Sequence, residues 1–273
     1  MRIKQIYVSP GLKAFADRMY QKYDLVPYTN PNEPAIIYGV FKASPTILQK
    51  HKSMAVILWA GTDVLRLLEA YRSPVWHSST VFRNIAEFPN YFHVCRSNIL
   101  KRDFDELRMQ YRFVRVSPVI PENFPLSPLG FDVYCYGAEK KPEVYGGDWI
   151  EQLKIDFPHI RFRGNCLEHE TFVPYSQMYN VYKQCFMGLR LTKHDGLPNT
   201  VLELALMGRR CVYNDDLPGS IPYQTYEDVK AAIEQEYVKI HQRGDEQIRA
   251  QTVDMLHITN DWLQTEWYEG KQC

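Results

Sequence analysis

Gly188-Leu-Arg-Leu-Thr-Lys-His-Asp-Gly-Leu-Pro-Asn-Thr-Val-Leu-Glu-Leu-Ala-Leu-Met-Gly208, followed by the run Arg210-Cys-Val-Tyr213, is the stretch that decides the fold. The apolar run Cys185 to Leu191 reads as a strand. A loop carrying Asp195 and Gly196 follows it, Pro198 favours a helix start, Asn199 can cap or open that helix, and Gly208 ends it. The result is a strand-loop-helix-strand unit with one carboxylate, Asp195, on the loop and a second, Glu203, in the first turns of the helix. Backbone N–H groups at such a helix start suit a diphosphate, because they lack intrahelical partners and carry partial positive charge.

Outward from this unit, short apolar and β-branched runs alternate with stretches of helical spacing, the pattern of βαβ units around parallel sheets. The first half offers strands at Ile3 to Ser9, Ala35 to Tyr38, Met54 to Ala60, Tyr91 to Cys95 and Phe113 to Val116. The second adds Phe131 to Gly137, Ile160 to Arg163, Cys185 to Leu191 and Cys211 to Tyr213. Between the halves, residues 118 to 128 hold four prolines in eleven positions, which forbids a helix and interrupts any central strand. The expected organisation is α/β, with two Rossmann-like doubly wound parallel-sheet domains facing a central cleft: 1–120, 121–255, and a C-terminal helix at 256–273 packing back toward the first domain. Two long helices are expected near the end, Tyr226 to His241 and Asp245 to Trp267.

The 273 residues suffice for two small domains, and 45% hydrophobic content excludes a disordered chain. No run of about 18 apolar residues suggests a membrane span, and nothing near Met1 suggests a secretion signal. The six cysteines form no C-x-x-C pair and several lie in apolar runs, so a reducing, cytoplasmic setting is expected. Net charge is zero but divided. Residues 1–125 hold 17 Lys and Arg against 10 Asp and Glu, and the remainder holds 15 against 22. The basic half is either an ordinary solvated face or the footprint of an anionic acceptor.

The residues Thr192, Asp195, Gly196, Leu197, Pro198, Asn199, Glu203, Ala205 and Gly208 resemble the signature of the retaining glycosyltransferases called family 4, whose two-domain fold is known as GT-B. Asp195 stands where the family usually has Glu, one methylene longer. The resemblance implies that Asp195 and the amides of Gly196 and Leu197 hold donor-sugar hydroxyls, that Glu203 holds the nucleotide ribose, and that Thr192, Pro198 and Asn199 lie on the donor side; Thr200, next in the helix, and His194, directly before Asp195, are donor-side candidates by their place in the sequence. It also implies a basic residue after the first strand of the second domain. Lys140 or Lys141 fits that role or is a solvated loop lysine, and Arg190 is a further candidate that can instead pair internally. In the first domain Gly11, after the first strand, would let backbone approach the diphosphate.

A second resemblance is Ile57-Leu-Trp-Ala-Gly-Thr-Asp-Val64, similar to His-Trp-x-Gly-Thr-Asp-Val-Leu segments of some bacterial, archaeal and viral members, with Leu58 in place of the histidine. Gly61, Thr62 and Asp63 are acceptor-side candidates, Asp63 being equally readable as a helix cap. His77 and His93 are candidates for the same side or core histidines. Asp103-Phe-Asp105 has the spelling of a metal-binding motif but opens a helix-like run, so no metal is expected.

The implied function is transfer of a sugar from a UDP- or GDP-sugar to an acceptor with retention of configuration, with no cofactor or metal. The acceptor classes that fit are nucleic acid, such as a modified DNA base in a viral setting, and a lipid-linked, membrane-associated or cell-surface glycan. A nucleotide-sugar epimerase of the same fold and an inactive nucleotide-sugar-binding module remain alternatives.

Overall fold

The computed structural model describes residues 1–41, 44–73, 84–85, 88–137, 142–164, 173–258 and 260–269. The chain divides into two units: Met1–Pro118 with His194–Leu197 and His257–Cys273, and Val119–Lys193 with Pro198–Leu256.

Unit 1 is built on a parallel sheet of six strands, β1 (Gln5–Val8), β2 (Val26–Pro27), β3 (Ala35–Tyr38), β4 (Ala55–Leu58), β5 (Tyr91–Cys95) and β6 (Arg112–Phe113), in the order β2-β1-β3-β4-β5-β6. Its described helices are α1 (Ala16–Tyr23), α2 (Ser44–Lys50), α3 (Thr62–Arg72) and α4 (Asn98–Glu106). β3 and β4 are buried throughout, which is why they read as unbroken apolar runs. Alternate side chains serve the two faces. Ile37 and Ile57 pack with Leu67 and Phe104 on one side, and Ile36 and Val56 with Ile6 and Met19 on the other.

Unit 2 carries a parallel sheet of five strands, β7 (Asp132–Cys135), β8 (Phe162–Arg163), β9 (Cys185–Leu189), β10 (Arg210–Val212) and β11 (Ser220–Ile221), in the order β11-β10-β9-β7-β8. Helices α5 (Gly147–Asp156), α6 (Met178–Lys183), α7 (Asn199–Leu206), α8 (Tyr226–Tyr237) and α9 (Glu246–Leu256) surround it. The chain leaves β7 to one side through β8 and returns on the other through β9, so the strand order reverses between β7 and β9. In open parallel sheets such a reversal opens a crevice at the carboxyl ends of the strands, where ligands bind.

Strands and a helix both depart from the sequence reading. β2 and β11 are two-residue edge strands, too short to show a period. The single helix expected from Asp245 to Trp267 stops at Leu256, and a 3₁₀ turn (Asn260–Leu263) and α10 (Glu266–Glu269) follow in unit 1. Burial wins over helical continuity there: Trp262 and Leu263 are fully buried. The carbonyl of Leu263 accepts the Ile3 N–H at 2.7 Å, and that of Met1 accepts the Thr265 N–H at 2.7 Å. Trp262 packs edge-on to Tyr23 at 5.2 Å.

Candidate functional site

In unit 2 the decisive stretch folds locally as its residues dictate. Pro198 precedes α7 and Asn199 opens it. Gly208, at φ 73°, ends the helix, its N–H reaching the carbonyl of Ala205 while the N–H of Arg209 reaches that of Leu204, both at 2.9 Å. Glu203, 4% exposed, accepts a hydrogen bond from the Tyr182 hydroxyl at 2.8 Å. Burial, reinforced by that carboxylate, pushes the Tyr182 hydroxyl well above the ordinary tyrosine range, so it stays a donor. Glu203 is thereby oriented by a phenol from α6. Thr192 and Thr200 are buried.

Arg190 directly follows β9 and is 7% exposed. Its guanidinium lies 3.6 Å from the ring centre of Tyr136, which follows β7, and 5.3 Å from that of Tyr145. A cation stacked on two rings at the reversal of strand order keeps positive charge inside the rim at modest cost. Beside it a cavity of about 510 Å³ opens at the carboxyl ends of β9, β10 and β11. Leu191 and Lys193 follow β9, Asn214 follows β10, Tyr223 follows β11, and Asp148 and Trp149 come from the first turn of α5. Gly146 allows this turn to close. It sits at φ 70°, and a Cβ there would meet the Leu191 Cβ at 2.7 Å. Trp149 and Tyr223 meet edge-on at 6.1 Å, and burial pushes the Tyr223 hydroxyl up to about 12. Apolar rings with converging amide, carboxylate, ammonium and hydroxyl groups are the composition of a small-molecule site.

In unit 1 the loops at the carboxyl ends of the strands are occupied by their own side chains. Asp63, fully buried, accepts hydrogen bonds from the backbone N–H of Val40, Ala60, Gly61 and Val64 at 2.9–3.1 Å. Its carboxylate builds the loops after β3 and β4. Arg96, 2% exposed, donates to the carbonyls of Trp59 and Val116 and to the Tyr38 hydroxyl. Ser9 and Ser44 join through their hydroxyls at 2.9 Å. Thr62 is the exposed first residue of α3. His93, expected near a strand end, lies within β5 and is 5% exposed. The Trp59 indole donates to its Nδ1 at 3.2 Å, so it is a core histidine. A Cβ at Gly11 would meet nothing within 4 Å.

The segment His194–Leu197 belongs to unit 1. His194 Nε2 donates to Asp103 Oδ2 at 2.6 Å, and Asp195 Oδ1 accepts the Gly196 N–H at 2.8 Å. Gly61 and Gly196 stand back to back. A Cβ on Gly61 would lie 2.7 Å from the Gly196 nitrogen, and one on Gly196 would lie 2.2 Å from the Ala60 carbonyl oxygen. His77, Lys140 and Lys141 lie outside the described residues. Among the described residues no three His, Cys, Asp or Glu side chains converge as a metal site, and no helix is long and apolar enough to cross a membrane. Sequence reading missed Tyr136, Tyr145, Trp149, Asn214, Tyr223 and Arg96. Tyr136 and Arg96 could have been found as residues immediately following a strand.

No protein-family model matches the chain, and no curated protein matches its sequence. Solved structures do match in fold. Sucrose-phosphate synthase from Thermosynechococcus elongatus aligns with a TM-score of 0.55 at 10% identity, over 94% of this chain and 77% of that one. TarM aligns with a TM-score of 0.51 at 8% identity, over 93% of this chain and 57% of that one. A mutant of S. aureus TarM, in complex with fondaparinux, α-GlcNAc-glycerol and UDP, gives 0.51 at 11%, over 93% and 58%. The chain has the GT-B fold. It is structurally similar to retaining glycosyltransferases of family 4 and spans little more than half the length of the TarM chains.

Proposed function

We propose that the chain is a retaining glycosyltransferase that takes its sugar from a nucleoside-diphosphate donor held at the rim of unit 2. One observation carries the reading: a cavity of about 510 Å³, with aromatic walls and polar groups, sits at the carboxyl ends of strands whose order reverses beside it. The signature running from Thr192 to Gly208 leads out of the same strand, β9. The S. aureus TarM mutant of similar fold is in complex with UDP, which makes a uridine nucleotide the first donor to try.

On this reading the amides opening α7 and the Arg190 cation offset charge developing on the departing diphosphate. Glu203, oriented by Tyr182, accepts hydrogen bonds from the ribose, and Asp195 accepts them from the donor sugar. The acceptor oxygen bonds to the anomeric carbon as the bond from that carbon to the diphosphate breaks. The acceptor proton passes to the leaving phosphate, and attack on the face the diphosphate leaves retains configuration. The basic character of residues 1–125 favours an anionic acceptor, a nucleic acid or a membrane-associated glycan. The reaction needs no metal, and the setting is cytoplasmic.

The test is to incubate the protein with UDP-glucose, UDP-N-acetylglucosamine and GDP-mannose, with and without acceptor mixtures, and to follow nucleoside diphosphate release together with the anomeric configuration of the product by NMR. Release with retained configuration, lost in Glu203→Gln, supports the proposal. Tight nucleotide binding with no release under any condition would replace it with a non-catalytic binding module, a reading that the Asp195 carboxylate, turned onto the Gly196 N–H, favours.

A further inference from the structure

Asp103 opens the Asp103-Phe-Asp105 run, which spells a metal motif, yet the two carboxylates do different work. Asp105, half-exposed, accepts from Lys101 Nζ at 2.7 Å and from the Tyr111 hydroxyl at 2.8 Å on the outside of α4. Asp103 turns the other way. Its side chain is 14% exposed, and its Oδ2 receives the His194 Nε2–H at 2.6 Å from a partner 91 residues along the chain. His194 directly precedes Asp195, the first carboxylate of the signature, and the residue after Asp195 is pinned as well, Gly196 lying against the Ala60 carbonyl and the Gly61 backbone with no room for a Cβ. Asp195 is therefore held on both sides. On one side the hold is backbone packing, and on the other it includes the hydrogen bond from His194 to Asp103 of α4.

We infer that Asp103 is a positioning residue: through His194 it fixes the direction in which Asp195 presents its carboxylate to the donor sugar. The inference rests on the proposed donor-binding role of Asp195. Asp195 and Asp103 thereby gain distinct tasks, Asp195 touching the sugar and Asp103 acting through His194. A short, charge-assisted bond to a half-buried carboxylate orients a ring more firmly than packing alone, because it specifies both distance and direction.

The experiment compares Asp103→Leu, which removes the acceptor, with Asp103→Asn, which keeps a side-chain oxygen for the His194 N–H. Asp105→Ala serves as the matched control, and His194→Phe removes the same bond from the other side should Asp103→Leu melt early. Two quantities are read. The first is the rate of tryptic cleavage after the exposed Lys193, which reports the hold on the loop. The second is the affinity for each nucleotide sugar, UDP-glucose, UDP-N-acetylglucosamine or GDP-mannose, divided by that for its own nucleoside diphosphate, which reports the sugar contact alone.

In Asp103→Leu and His194→Phe the cleavage is expected to accelerate and the ratio to fall by about tenfold, to the level of Asp195→Ala, while affinity for the bare nucleotide is unchanged. Asp103→Asn and Asp105→Ala should keep both quantities. Faster cleavage with an unchanged ratio would make Asp103 a structural residue only, and an unchanged cleavage rate would deny that it holds the loop. Either outcome overturns the inference while leaving the donor site intact. A parent protein that prefers no nucleotide sugar over its nucleoside diphosphate overturns it differently, by removing the sugar-binding role of Asp195.

Discussion

The two rims make opposite use of their polar residues. Around unit 1, Asp63 spends its carboxylate on four backbone amides and Arg96 spends its guanidinium on two carbonyls and a hydroxyl. Around unit 2, Arg190 lies over the rings of Tyr136 and Tyr145, Asn214 accepts the Tyr223 N–H, and Asp148, Asn214, Lys193 and Tyr223 line a cavity. The same parallel-sheet architecture therefore yields one rim whose chemistry stabilises its own loops and one whose chemistry faces a cavity. A polar residue at the end of a strand is not evidence of a site until its partners are counted.

This contrast can be broken at several points. The largest effect is expected in unit 1 from Asp63→Ala, which strands four N–H donors, three of them buried, and should cost about 3 kcal/mol or more, read as a fall in the thermal unfolding midpoint followed by tryptophan fluorescence. Gly196→Ala comes next, because its Cβ would overlap the Ala60 carbonyl oxygen at 2.2 Å. A cost of about 1–3 kcal/mol is expected, and a neutral result would mean that the segment His194–Leu197 is not seated on Ala60 and Gly61. In unit 2 the loss should appear in binding instead. Trp149→Ala and Glu203→Ala should each weaken nucleotide affinity by about 1–3 kcal/mol, measured by calorimetric titration with UDP. The smallest effect belongs to Gly11→Ala. With nothing within 4 Å of its Cβ, it should change stability by less than about 0.5 kcal/mol, so any loss of sugar transfer in that variant would be a loss of ligand space and not of fold.

The parts of this molecule legible in the sequence were the local ones. Pro198, Asn199 and Gly208 set the ends of one helix by their own backbone chemistry, and the buried runs Ala35–Tyr38 and Ala55–Leu58 announce parallel strands because both faces are covered. The cavity was not legible, since its walls come from Asp148 and Trp149, from Leu191 and Lys193, from Asn214, and from Tyr223, residues separated by tens of positions and sharing no period. The link between Asp103 and His194 was hidden for the same reason. The break after Leu256 went unseen because helical spacing continues through Trp262, and only the face of unit 1 that buries this residue shows why the helix stops.

Amide hydrogen exchange of the whole chain with and without UDP tests the central claim most directly. Slowed exchange is expected at residues 142–149, 190–193, 213–214 and 223–224, with the pocket bounded by His51 and Tyr91 in unit 1 unaffected. Binding of UDP that leaves those unit 2 segments unprotected, or no binding at all, would contradict it.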